Sequence, residues 1–201
     1  QRTTIINNAN KLMDLMGNDP YDFLMNADED DINSVCIVHR TFQTVDCSFF
    51  LTSLRNIYLN YGGLGRVFKG FYHKTGDLKE VLNCFRGLFF EMEHQKRTEK
   101  HVADVMKGAS GKRLNMFLRW MIRDDGKGVD FGLWKEIPSS ALFIPLDVHS
   151  GNVARKLGLL TRCQNDWKAV EELTTILRQF DPIDPIKYDF ALFGTGAFET
   201  F

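Results

Sequence analysis

Apolar residues recur at three- and four-residue steps along almost the whole chain, a period that suits helices and not strands. Ile6, Ala9, Leu12, Met13 and Met16 share one face of a first predicted helix, Thr3 to Met16. Gly17-Asn18-Asp19-Pro20 reads as a stop and a restart, with Asp19 as cap and Pro20 at the first helical position. Asp28-Glu29-Asp30-Asp31 reads as an exposed acidic turn. Phe49, Phe50, Ser53, Leu54, Ile57 and Tyr58 form one broad face over residues 45–60, which Gly62-Gly63 closes. A short helix follows from Leu64 to Tyr72. Val81, Leu82, Phe85, Leu88, Phe89 and Met92 are then the buried stripe of a longer one, Leu78 to Gln95. Strand-type alternation is weak, with residues 36–42 the one modest candidate. No internal repeat or low-complexity linker breaks the pattern, so the expected fold is all-α in a single domain.

The chain has 201 residues, enough for one sizeable domain or two small lobes around a shared core. Its 17 phenylalanines supply much of that core, each burying roughly 150–250 Å². Lys plus Arg number 25 against 26 Asp plus Glu, a net charge of −1 that excludes a uniformly basic coat and an acidic tail. Cys36, Cys47, Cys84 and Cys163 stand singly, without a C-x-x-C pair. That spacing argues against a disulfide scaffold, a zinc ribbon or an iron–sulfur cluster and fits reduced thiols in a cytoplasmic protein. The longest apolar run, Ala141 to Leu146, is far too short to span a bilayer, and the polar first ten residues carry no secretory pattern. Because the sequence opens at Gln1 without Met and runs at once into a predicted helix, a further segment is expected upstream.

A metal site is not expected. Glu91, Glu93, His94, Glu99 and His101 fall on several helical faces and alternate with Lys96, Arg97 and Lys100, the pattern of a solvated surface. Cys163 lies beside Arg162, but no base with defined geometry accompanies it, so it is not taken as a nucleophile.

The neutral total conceals segregation. Asp19, Asp22, Asp28, Glu29, Asp30 and Asp31 fall in a stretch with no basic residue, whereas Lys107, Lys112, Arg113, Arg119 and Arg123 fall in one with no acidic residue. Within the basic stretch, Lys107-Gly108-Ala109-Ser110-Gly111 is a small-residue turn between two predicted helices. The second, Lys112 to Arg123, sets Leu114, Phe117, Leu118, Met121 and Ile122 on one side and Lys112, Asn115, Arg119 and Arg123 on the other. Glycines let a backbone approach a phosphate closely, and a helix start offers unpaired N–H groups to an anion. Two readings stay open on these residues alone: a clamp on the DNA backbone, or a solvated helix face after an ordinary turn.

Downstream, Ile144-Pro145-Leu146-Asp147-Val148-His149-Ser150 leads into Val153-Ala154-Arg155-Lys156-Leu157-Gly158. Pro145 breaks the apolar run, and Asp147 is a good N-cap for a helix ending at Gly158. A capping carboxylate accepts backbone N–H groups and stays ionised; by position alone its role is structural.

Pro-Leu-Asp-Val-His followed by Val-Ala-Arg-Lys-Leu-Gly-Leu resembles the aspartate segment of the helix–hairpin–helix DNA glycosylase superfamily, which includes endonuclease III and the oxidised-guanine glycosylases. Lys112-Arg113-Leu114-Asn115-Met116-Phe117-Leu118-Arg119-Trp120-Met121 resembles the second helix of the hairpin, which in bifunctional members begins near the catalytic lysine. Together with Lys187 to Gly194, these segments are most similar to an uncharacterised, mainly bacterial family of that superfamily, over essentially the whole chain. The usual Leu-Pro-Gly-Val-Gly-x-Lys hairpin is only loosely echoed by Gly108 to Lys112. The Lys112–Asp147 spacing is longer than in endonuclease III and is similar to that of the archaeal oxidised-guanine branch.

The resemblance implies two helical lobes flanking a cleft, with the hairpin and lysine helix at about 103–123 and the aspartate helix at about 147–158. It implies a damaged base in double-stranded DNA as substrate, oxidised guanine first, with no cofactor, membrane or obligate protein partner. Lys112 would be the amine nucleophile, its charge suppressed by Arg113 and partial burial, and Asp147 the carboxylate that orients it and stabilises the sugar cation. Gly108, Gly111, Arg113, Arg119, His149, Ser150 and Arg155 would hold DNA. Trp120, Asp189 and Phe190 are base-pocket candidates, although two aromatics among so many also suit a core. Two other classes stay open: a DNA-binding module without chemistry, and an interaction protein using residues 28–31.

Overall fold

The computed structural model describes residues 2–198; Gln1 and residues 199–201 lie outside the described part. Among the described residues there are ten α-helices, three short 3₁₀ segments and no β-strand. None of these helices is long and apolar enough to cross a membrane. The described residues form two compact units, 2–68 with 86–102 and 69–85 with 103–198.

The first unit holds α1 (Arg2–Leu15), α2 (Pro20–Asn26), α3 (Glu29–Ser34) and α4 (Thr44–Tyr61). Asp19 caps α2 through a bond from the Asp22 N–H, with Pro20 at its first turn. The acidic run is not a turn: Asp28 caps α3, and Glu29, Asp30 and Asp31 occupy its first turn, where the helix dipole favours negative charge. Gly62 ends α4 in the left-handed region at φ 76°. Residues 36–42 form only an isolated bridge, His39 with Phe42. Met16, Leu24, Ile32, Val35, Cys47 and Leu51 make one core cluster. Beside it Phe42, Phe49, Phe50, Phe89 and Phe90 meet at ring separations of 4.9–6.4 Å, giving several of the phenylalanines their place.

The unit division falls within α5 (Leu64–Thr75) and α6 (Leu78–Phe89). The latter ends six residues before the expected Gln95, and the Phe89 carbonyl accepts a 2.7 Å bond from the buried Ser53 hydroxyl instead of continuing the ladder. Lys96–His101 is a 3₁₀ segment, so no α-helix leads directly into the small-residue turn. The Ala109 N–H closes onto the Asp104 carbonyl at 3.1 Å, and Gly108 sits at φ 92°, so the segment is already turning where a helix was expected.

The second unit carries α7 (Lys112–Ile122), α8 (Val148–Lys156), α9 (Trp167–Phe180) and α10 (Asp189–Phe198). Its core includes Trp167, Leu173, Leu177, Ile144, Leu146 and Ile186, each at most 2 % exposed. Helix α10 packs on α8, and their approach depends on a glycine. A Cβ on Gly196 would lie 2.8 Å from the His149 carbonyl oxygen and 3.0 Å from Val153 Cγ2. Gly196→Ala is expected to cost about 1–3 kcal/mol in urea unfolding by forcing the helices apart; an unchanged midpoint would show that the contact yields freely.

Candidate active site

Helix α7 starts where it does because Gly111 adopts φ 61°, and a Cβ there would lie 2.9 Å from Val105 Cγ1. The Asn115 amide secures the turn by donating to the Ser110 carbonyl at 3.2 Å. The first bond of the helical ladder runs from the Asn115 N–H to the Gly111 carbonyl, so the N–H groups of Lys112, Arg113 and Leu114 have no helical acceptor. Lys112 is therefore the first helical residue, with its ammonium at a helix start.

Opposite it, Asp147 is held by its own helix. Its extended backbone places Oδ1 to accept the Ser150 N–H at 2.9 Å, while its own N–H donates to the Ser150 hydroxyl at 3.0 Å, a reciprocal capping box. The Asn165 amide donates to the Asp147 carbonyl at 3.1 Å, and Arg155 donates to the Asn165 Oδ1 at 2.5 Å. That leaves Oδ2 for Lys112, whose Nζ donates at 2.8 Å. The lysine side chain is 42 % exposed and the aspartate 12 %. Burial by itself raises the Asp147 carboxyl, but the bonds from Lys112 and the Ser150 backbone outweigh it and hold the pKa below the ordinary 3.8.

Beneath this pair lies a buried ion cluster. Arg119, 2 % exposed, donates from Nε to Asp130 at 3.1 Å and from Nη1 to Asp189. Arg123 donates to Asp130 at 2.7 Å and to Asp184 at 2.9 Å. The Phe190 ring lies over the Arg119 guanidinium, 3.9 Å from its carbon. Burial pushes the Asp189 carboxyl up to about 6 against the pull of Arg119, and the Asp147 charge adds to the push while Lys112 opposes it. Asp189 is thus electrostatically coupled to both members of the surface pair.

The sequence matches the family described as "Protein of unknown function (DUF2400)" over residues 1–198. The chain belongs to the DUF2400 family. No curated protein and no solved structure matches it.

In this DUF2400 chain the residues singled out from sequence have different fates. Lys112, Asp147 and Ser150 come together, but Ser150 is fully buried in the cap, so its hydroxyl serves Asp147 and not a phosphate. Arg119 and Arg155 also face inward tasks: Arg119 lies in the ion cluster, and Arg155 is committed to Asn165 and the Arg162 carbonyl. The α7 side carrying Asn115, Arg119 and Arg123 is therefore neither a clamp nor a solvated face; these residues are 1 %, 2 % and 8 % exposed. Arg113 and His149 are exposed, and Gly108 and Gly111 shape the turn. His149 Nδ1 meets the Gly196 carbonyl at 2.9 Å, which requires the proton on that nitrogen, so Nε2 donates to an anion only when the ring is charged. Trp120 is 39 % and Phe190 45 % exposed, whereas Asp189 is 4 %.

Sequence reasoning missed Asn165, Asp130 and Asp184. The four-residue step between Arg119 and Arg123 shows that the two share a helical row, but it does not say whether that row faces carboxylates or water. Among the described residues no group of three or more His, Cys, Asp or Glu is placed to hold a metal ion.

Two outcomes follow from this geometry. Ser150→Ala removes the return bond of the cap and is expected to cost about 0.5–2 kcal/mol in chemical unfolding; a neutral result would contradict the cap. The folded chain holds the Asp189 proton more tightly than the unfolded chain, whose carboxyl sits near 3.8. Stability should therefore fall as pH rises from about 4 to about 6 and stay at the lower level above. Carboxyl NMR should show Asp189 titrating near 6, and Asp189→Asn should remove that contribution to the slope. Titration below 4 would contradict the assignment.

Proposed function

We propose that this chain is a DNA repair glycosylase with AP lyase activity, acting on a damaged base flipped out of double-stranded DNA, with oxidised guanine as the first substrate to test. The observation that carries the reading is the Lys112 amine set 2.8 Å from the Asp147 carboxylate, across 35 residues of sequence. The glycosylase-like segments around both residues support it, as does the placement of the amine at a helix start behind a glycine turn.

In this reading the damaged base leaves the stack so that C1′ of its sugar reaches the pair. Once the Lys112 ammonium has given one proton to solvent water, the freed lone pair forms a bond to C1′ as the glycosidic bond breaks, the bonding electrons leaving with the base. A carboxylate with a lowered pKa is a poor store for a proton, so Asp147 orients the amine and stabilises positive charge growing on the sugar. The amine proton departs with the base. The nitrogen lone pair then breaks the C1′–O4′ bond, O4′ taking a proton from water, to leave a protonated Schiff base; loss of a C2′ proton to water then expels the 3′-phosphate and nicks the strand. The exposed Lys107 and Arg113, with the N–H groups at the start of α7, supply a local anion-binding surface despite the neutral total.

The test is single-turnover base release and strand nicking on duplexes carrying a panel of oxidised, alkylated and deaminated bases. At least one oxidised purine should be released and the strand nicked. Lys112→Gln should abolish both, and Asp147→Asn should slow release by about 10²–10³-fold. No release from any lesion, or full release by Lys112→Gln, contradicts the proposal. Salt-dependent DNA binding without release would instead mark a binding module.

A further inference from the structure

A second candidate site lies within the first unit, in a cleft of about 310 Å³ lined by α3, α4 and Met92. That volume is at the lower end of the range for small-molecule sites. Ile32, Leu59 and Met92 give it apolar walls, and Arg55 and Asn60 bring polar groups to it from α4. Among the described residues, Arg55 Nε is the one buried side-chain nitrogen or oxygen with no hydrogen-bond partner. Buried donors in folded proteins are ordinarily satisfied, and leaving one bare costs about 1–3 kcal/mol. Among the described residues no carboxylate is ion-paired with Arg55, although Glu29 lines the same cleft. Two of the other polar side chains of the cleft are already engaged with one another and with Glu91: Asn60 donates to Asn56 at 2.6 Å, and Asn56 donates to Glu91 at 2.5 Å.

We propose that this cleft binds a small organic monocarboxylate, with its carboxylate on Arg55 and its apolar body against Ile32, Leu59 and Met92. A planar guanidinium fork matches a carboxylate in shape and charge. The surroundings select against a dianion. Asp28, Glu29, Asp30 and Asp31 cluster at the start of α3, and Glu91 sits behind Asn56. A phosphate would meet that negative field with one cation to offset it; a carboxylate carries half the charge. The site shares no residue with the Lys112–Asp147 pair and does not rest on the glycosylase reading.

The test uses amide NMR of the whole chain without DNA, titrated with phenylacetate, hexanoate and N-acetylleucine, and with phenylacetamide and phenyl phosphate as controls. At least one carboxylate should saturably shift the side-chain amides of Asn56 and Asn60. Phenylacetamide and phenyl phosphate should bind about tenfold more weakly or not at all, the scale of one lost charge-assisted contact. Arg55→Met should lose the carboxylate response while keeping or raising the melting temperature. Should that variant fail to fold, Leu59→Trp, at a half-exposed position, should block the cleft with Arg55 intact. Lys112→Gln should bind as the wild type does, which keeps this result separate from the fate of the glycosylase reading. No saturable shift with any of the three carboxylates, equal or tighter binding of the amide or phosphate, or an undiminished response in both cleft variants overturns the proposal.

Discussion

The Asp147 carboxylate is the constraint on which the second unit's candidate chemistry depends, because its two oxygens have different duties. Oδ1 terminates helix α8 through Ser150, and Oδ2 faces the Lys112 ammonium. An N-cap fixes a carboxylate more firmly than a surface rotamer does, since the backbone N–H it accepts cannot move without unwinding the first turn. The surrounding contacts hold that turn from outside: Asn165 on the Asp147 carbonyl, Arg155 on Asn165, and Gly196 admitting α10 close to His149. The amine is placed by an equally local device, a left-handed glycine that begins α7. Two backbone features therefore set a distance that two side chains alone would not maintain.

The ion cluster under the pair changes what the basic segment means. Arg119 and Arg123 are counterions to Asp130, Asp184 and Asp189, with little solvent contact. Removing either arginine leaves buried carboxylate charge uncompensated, a much larger cost than the net value of the pairs. The cluster also places a carboxyl with a pKa of about 6 where it senses both Lys112 and Asp147. The charge this segment presents to solvent is correspondingly smaller than the sequence count: Lys112 faces Asp147 and Lys107 lies 3.4 Å from Asp104, while Arg113 is exposed.

Local signals in the sequence translated well. Asp19 and Asp147 are caps, Gly62 closes α4, and Lys112 and Asp147 meet. Each of these rests on chemistry within a few residues or on a motif. The polar side of α7 did not translate, because arginines four residues apart look alike whether they face water or carboxylates; the partners here are 11 and 70 residues away from Arg119. The end of α6 was likewise hidden, since the Ser53 hydroxyl that takes the Phe89 carbonyl comes from another helix. Arg55 carries no sequence signal either: a buried Nε without a partner is visible only when every neighbour is in place.

The central claim is that Lys112 is the amine that meets the sugar. Borohydride reduction of the protein mixed with lesion-bearing duplex, followed by mass-spectrometric mapping of the cross-linked peptide, tests it most directly. A reduced adduct on Lys112, lost in Lys112→Gln, is the expected result. An adduct on a different lysine, or none with any lesion, would contradict the account.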